Sequence, residues 1–438
     1  MSLPVLLLVA AGPSTAATGP GLSRDEQKIV AAAAAENDHA IALLEQLVNI
    51  NSGTMNFAGV EHVGRMVMGE LAPLGFHVQW KPMAAVGRAG LVIAEHHTSG
   101  HGKRVLLIGH LDTVFEQDSP FQHYVRRGAI AEGPGVNDMK DGLVIMIGAL
   151  RALRAAGALR DADVTIVLSG DEENAGSPHA QARADMIEAA SHADAALEFE
   201  ALASAGGHDM GTIARRSATS WTLRTTAQSG HSSGIFSAES GYGANYELVR
   251  ILDGFRRELR EPNATYNVGL LLGGARAAMN ADGAAGTAAG KTNVIAAQGI
   301  ATGDLRTLSN AQTDRMMARM SAVVADHLPG TEASLTFEEG YPAMAPTAGN
   351  RALLARLNEI NAALGLEAMP ELDPLQRGAG DISFVADKLD CLVGFGAVGQ
   401  GSHAPGETVE LGSIDRQLKR TALLIARLAK TPRTPPPP

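Results

Sequence analysis

Three short apolar runs, each ending abruptly in polar residues, recur through the first half of the chain at 105–108 (VLLI), 164–168 (VTIVL) and 195–197 (AAL). Runs of this length and composition predict buried β-strands. Between the first two, residues 141–156 (DGLVIMIGALRALRAA) are apolar on nearly every side and basic toward the end, which predicts a helix packed on a sheet. Strand, helix, strand in that order implies parallel pairing through right-handed crossovers, and so an α/β layer with helices on both faces. In such sheets functional groups collect beyond the carboxyl ends of the strands.

After residue 200 the pattern changes. Strand-like runs at 220–226, 291–296, 299–305 and 333–337 accompany two helical ones at 243–257 and 311–327, which suggests a small α+β sandwich. The simplest organisation is a catalytic domain made of residues 25–211 and 340–430 with a second domain, 212–339, inserted into it as a lid. Its hinges fall near Gly211 and Thr212 and near Gly340 and Tyr341. Residues 273–290 (GGARAAMNADGAAGTAAG) have few bulky side chains and read as a flexible loop.

Composition narrows the function. A chain of 438 residues favours two domains over one core. Acidic residues outnumber basic ones 47 to 36 without a basic stripe, which argues against a nucleic-acid partner. The single cysteine, Cys391, rules out an intramolecular disulfide and reads as a core residue. Residues 1–17 carry a short apolar run followed by small residues, the outline of a secretory signal lacking its positive start. The run is too short to span a bilayer. A periplasmic or secreted location is the expectation, cytoplasmic if this segment is not a signal. Residues 431–438 read as a disordered tail.

Candidate chemistry lies where the strands end. His110, Asp112, Asp138, Glu172, Glu173, Glu200 and His403 follow one another along the chain, most of them just beyond a predicted strand. Alone, His-x-Asp is an ordinary surface pair and Asp-Glu-Glu a solvated acidic turn. Together after successive strands they outline a two-metal hydrolase whose mixed N/O donors suit zinc, with cobalt or manganese also acceptable. A spare carboxylate remains to act as a base. Asp112, two residues after His110, is placed to orient that imidazole.

The chain resembles the M20 family of metallopeptidases, and within it the carboxypeptidase G2-like (glutamate carboxypeptidase) branch. The stretches that carry the likeness are LVNINSGT (47–54), GHLDTVF (109–115), GPGVNDMKDG (133–142), SGDEENAGS (169–177), EFE (198–200), SGHSSG (229–234), TNVI (292–295), GDLR (303–306) and GSHAPGE (401–407). The resemblance implies a zinc-peptidase-type mixed sheet, a lid that also mediates homodimerisation, and two Zn2+ per subunit. The activity it implies is hydrolysis of a peptide or N-acyl amino acid with release of a C-terminal, glutamate-like residue. It implies that Asp138 bridges the metals, with His110 and Glu200 completing one site and Glu173 and His403 the other, and that Glu172 is the general base. Glu200 is favoured over Glu198 because the family's ligand follows an aromatic residue, here Phe199. His231 of the lid would polarise the scissile carbonyl, from the other subunit in a dimer, and Asn293, Arg306 and Arg377 would bind substrate. Asp141 departs from the family's usual glycine and is expected either to cap the following helix or to alter the surroundings of Asp138.

Three other functions compete. Aminoacylase or dipeptidase activity needs the same metals and a different pocket. Residues 230–234 (GHSSG) fit the G-x-S-x-G elbow of serine hydrolases, which requires a strand, a tight turn and a helix. A noncatalytic binding protein could keep the fold without the chemistry.

Overall fold

The computed structural model describes residues 21–281 and 283–433. Its main sheet has six strands in the order His77–Pro82, Gly90–His96, Val164–Ser169, Val105–His110, Ala195–Glu198, Asp390–Val393. The first two pairings are antiparallel and the remaining three parallel, so the sheet is mixed. The parallel pair Val105–His110 and Val164–Ser169 is joined through the helix Lys140–Ala155, which matches the predicted strand, helix, strand order. Alternation along the central strand assigns its faces. Val105 and Leu107 join the large core under the helices Lys140–Ala155 and Leu411–Ala429, while Leu106 and Ile108 face the opposite layer with Met186, Ile382 and Cys391. The cysteine is buried, as expected of a core residue.

The inserted segment has its own sheet, in which Thr219–Ala227 lies between Gln298–Arg306 and Thr331–Phe337, all antiparallel. The helices Ala244–Glu258 and Asn310–Ala325 cover one face, and Trp221, Leu223, Leu248, Ile251, Phe255 and Met316 form a separate core. Two sequence expectations fail here. Residues 273–290 are not a structureless loop, because Leu270–Gly274 adds to the lid sheet and Arg276–Met279 pairs with Gly286–Ala289 as a hairpin. Residues 291–296 form no strand, only a turn whose Val294 bridges His231. The glycines and alanines of the hairpin are too small to leave an alternating signal, and the apolar Val294 and Ile295 anchor a turn.

The candidate signal at 1–17 and the prolines from 434 onward lie outside the described residues. Residues 431–433, expected in the tail, are held instead: Pro432 bridges Gly102 and the Arg433 Nε donates to Gly102 O at 2.8 Å. Among the described residues no helix is long and apolar enough to cross a membrane.

One close approach ties the main helix to the site. A Cβ on Gly142, in the first turn of Lys140–Ala155, would stand 1.9 Å from the main-chain oxygen of Phe199, next to Glu200. Gly142→Ala is expected to lower stability by about 1–3 kcal/mol through overpacking. A thermal unfolding midpoint equal to the parent's would refute that.

Candidate metal centre

His110 ends its strand and sits 2% exposed, with Asp112 one turn of chain further on. The imidazole Nδ1 lies 3.0 Å from the main-chain oxygen of Asp112 and 3.4 Å from its Oδ1. This leaves Nε2 facing Asp138 Oδ1 at 3.2 Å and Glu200 Oε1 at 3.6 Å. The partner on Nδ1 fixes which nitrogen presents a lone pair. The carboxylate of Asp112 has a second task. It accepts from Thr54 Oγ1 at 2.6 Å and from the amides of Glu172 and Glu173 at 3.1 Å each, and so holds the loop that carries the acid pair.

His403 approaches from the opposite side. Its Nε2 lies 3.1 Å from Asp138 Oδ2 and 3.2 Å from Glu173 Oε2, and its side chain is 58% exposed at the rim. Asp138 therefore stands between the two imidazoles, one oxygen on each. Its loop is fixed by Glu407, a fully buried carboxylate that accepts from the amides of Gly135, Asn137 and Asp138 at 3.1, 2.7 and 2.9 Å. Asp141 does both things expected of it: Oδ1 accepts from the Gly142 amide in the first turn of its helix at 2.6 Å, while Oδ2 accepts from Asn137 Nδ2 at 2.7 Å and Ala397 N at 2.9 Å, behind the Asp138 loop.

Two overlapping groups of ligand atoms fall within 4.8 Å of one another: His110, Glu172 and Glu200, and His110, Asp138 and Glu173. Glu198, the rival to Glu200, turns away and accepts from Arg215 Nη1 at 2.6 Å and Ile382 N at 2.8 Å. The fit to divalent cations rests on the donor set and on one orphaned atom. Glu173 Oε1 is buried without a hydrogen-bond partner, a costly arrangement for a carboxylate unless a cation sits against it. His110, Asp138, Glu173, Glu200 and His403 would hold the ions, with the Glu172 carboxylate beside them.

The ionisation of the metal-free cluster follows from its crowding. Burial pushes the carboxyls of Glu172 and Glu173 up, Glu173 to about 7, and neighbouring carboxylates add to both shifts. His403 is pushed up to about 11 by its hydrogen bonds to Asp138 and Glu173. An imidazole raised in this way keeps its proton at neutral pH, yet a metal ligand must present a bare nitrogen. Metal uptake near pH 7.5 is therefore expected to release protons, and affinity to weaken as pH falls. Calorimetric titration in two buffers of different ionisation enthalpy reads this directly; identical heats would contradict it.

The lid residues are elsewhere. His231 and Asn293 neighbour each other, with the Ser232 amide donating to Asn293 O at 2.9 Å, and the His231 side chain pairs with Ser233 Oγ at 2.8 Å. No hydrogen bond or ion pair links either side chain to the carboxylate cluster among the described residues. The GHSSG segment is a short 3-10 turn, Ser232–Gly234, and the next helix begins only at Ala244, so the nucleophile elbow is absent.

Arg377 lies beside the carboxylate cluster, and Arg306 near the neighbouring Gly378. Arg377 donates to Ala201 O, beside Glu200, while its buried Nε has no partner. Arg306 pairs with Asp304 at 2.8 Å, and its Nη1 would touch a Cβ on Gly378 at 3.6 Å. Arg216 was missing from the sequence-based set. It donates to Thr265 Oγ1 at 2.7 Å and Leu375 O at 3.2 Å, its Nε is also buried and unpartnered, and burial and Arg306 lower its pKa. Thr54 and Glu407 were overlooked as well, although each ends a motif noted above.

Residues 106–431 match the model of peptidase family M20/M25/M40. The chain belongs to that family. Carboxypeptidase G2 of Pseudomonas sp. (strain RS-16) is 26% identical over 423 residues, covering 94% of each chain. Among solved structures, a tripeptidase of Staphylococcus aureus superposes with a TM-score of 0.68 at 16% identity, covering 90% of this chain and 99% of that one. A dinuclear metal-binding M20 peptidase of Bacillus subtilis gives a TM-score of 0.62 at 15% identity, over 91% and 99%. This M20 peptidase is thus a hydrolase of the metallopeptidase class, and the noncatalytic alternative loses its ground.

Proposed function

We propose that this M20 peptidase uses two divalent ions, zinc by preference and cobalt or manganese as substitutes, to hydrolyse an amide in a small peptide or N-acyl amino acid, releasing a C-terminal, glutamate-like residue. The observation that carries this is the convergence of His110, Asp138, Glu173, Glu200 and His403 on one cluster, with Glu172 also within ligand distance of His110 and Glu200. When bound, such ions polarise the scissile carbonyl and acidify water.

Everything else falls to the protein. Glu172 takes a proton from the attacking water at its carboxylate and passes it to the leaving nitrogen, a role suited by its place within ligand distance of His110 and Glu200. Arg377, Arg306 and Arg216 supply guanidinium donors for the carboxylates of the departing residue, and Asn293 a further polar contact. His231 of the partner subunit, in a homodimer joined through the lid, donates to the developing oxyanion.

The test is a panel of N-acyl-glutamate, N-acyl-alanine and free dipeptides with zinc-restored enzyme. The acyl-glutamate is expected to lead in kcat/KM by roughly tenfold or more, the lead shrinking in Arg377→Ala through a higher KM. Equal rates on all acyl amino acids would favour an aminoacylase, and faster cleavage of dipeptides a dipeptidase.

A further inference from the structure

The lid joins the catalytic layer through two segments that lie side by side. Arg215 and Met344 exchange main-chain hydrogen bonds of 3.0 and 2.9 Å, and Ala218 and Tyr341 exchange bonds of 3.1 and 2.9 Å. Each segment sends one large side chain to a residue of the centre, Arg215 to carboxylates and Tyr341 to a main-chain oxygen. Arg215, 5% exposed, places Nη1 2.6 Å from Glu198 Oε2 and 3.7 Å from Glu200 Oε1, and donates through Nε to Gly378 O at 3.0 Å. The Tyr341 hydroxyl donates to the main-chain oxygen of Glu172 at 3.0 Å and accepts from Arg183 Nη2 at 2.8 Å.

Both anchors are themselves held. The second oxygen of Glu198 is taken by the Ile382 amide, which fixes the carboxylate, and the Arg215 guanidinium cannot swing without breaking its two hydrogen bonds to Glu198 and Gly378. Arg183, fully buried, is clamped between Asp171 and Asp381 at 2.7 Å each, which fixes the tyrosine hydroxyl. The acid loop is then gripped twice, at the amides of Glu172 and Glu173 by Asp112 and at the carbonyl of Glu172 by Tyr341. Attaching a lid needs only main-chain pairing. An ion pair buried beside Glu200 brings little net stability, because desolvation offsets attraction, so it calls for another role.

We propose that Arg215 and Tyr341 are positioning residues, Arg215 setting the orientation of Glu200 and Tyr341 that of Glu172, so that the seating of the lid and the geometry of the centre are set by one hinge. This rests on the assignment of Glu200 as a ligand and Glu172 as the proton carrier. Neither side chain touches substrate in this account. Their loss alters geometry, and misplacement of a reacting group by about 1 Å costs up to about a hundredfold in rate.

Two full-length variants test it, each loaded with Co2+ as a spectroscopic probe. Tyr341→Phe removes only the hydroxyl and leaves Arg183 paired with both aspartates; it is expected to fold and bind cobalt normally while kcat falls roughly tenfold or more at unchanged KM. The double variant Glu198→Gln with Arg215→Met removes both charges of the pair together; it is expected to bind cobalt with an altered absorption spectrum and reduced kcat. Arg215→Lys, which keeps the charge, should recover part of both if the double variant folds poorly. Parent values of kcat in Tyr341→Phe, or a parent spectrum and kcat in the double variant, would remove that residue from the proposal. Failure of the underlying assignment looks different: Glu172→Ala would stay active, or Glu200→Ala would keep its full metal content.

Discussion

Glu172→Ala is expected to lower kcat by about 10²- to 10⁴-fold, the usual contribution of a positioned general acid/base, with metal content and thermal midpoint close to the parent's. The expectation follows from how the side chain is held. Its ligand-distance neighbours are His110 and Glu200, yet its own carboxylate has no hydrogen bond that the fold depends on, while its main chain is fixed by Asp112 and Tyr341. Removing the carboxyl should take away proton transfer and leave the scaffold standing. Loss of activity together with metal would instead make Glu172 a ligand, and retained turnover would remove it from the reaction.

Asp138→Ala should act on the other half of the machinery. Asp138 presents one oxygen to each imidazole, at 3.2 Å from His110 and 3.1 Å from His403. Without it the centre is expected to hold at most one ion per subunit and to lose at least about 10³-fold in rate, since a shared carboxylate is what keeps paired ions at a common substrate. The fold should survive, because the Asp138 loop is tied by Glu407 through main-chain amides and not through the Asp138 side chain. Elemental analysis of the purified variant beside its rate decides the matter; two retained ions would contradict the bridging position.

Much of this was legible in the chain because strand periodicity and ligand spacing act locally. His110 could be placed at a strand end from VLLI alone, and Asp112 next to it, since two residues of turn leave little freedom. The choice of Glu200 over Glu198 was less secure from sequence, as both leave the same strand region; the Arg215 contact separates them, and that partner lies on the lid connection. The contribution of Asp112 to the acid loop, the Glu407 clamp and the Arg183 cluster between Asp171 and Asp381 were invisible for the same reason. Each joins residues far apart in the chain, and single polar positions carry no period. The hairpin within 273–290 failed differently, because Gly and Ala satisfy main-chain pairing without announcing a buried face.

Metal titration of the stripped parent protein is the most direct test of the central claim. Adding Zn2+ in steps while following both bound metal and hydrolysis of an N-acyl-glutamate should give saturation near two ions per subunit, proton release during uptake, and activity that rises with occupancy. Saturation at one ion with full activity, or turnover in the stripped protein, would contradict a two-metal mechanism.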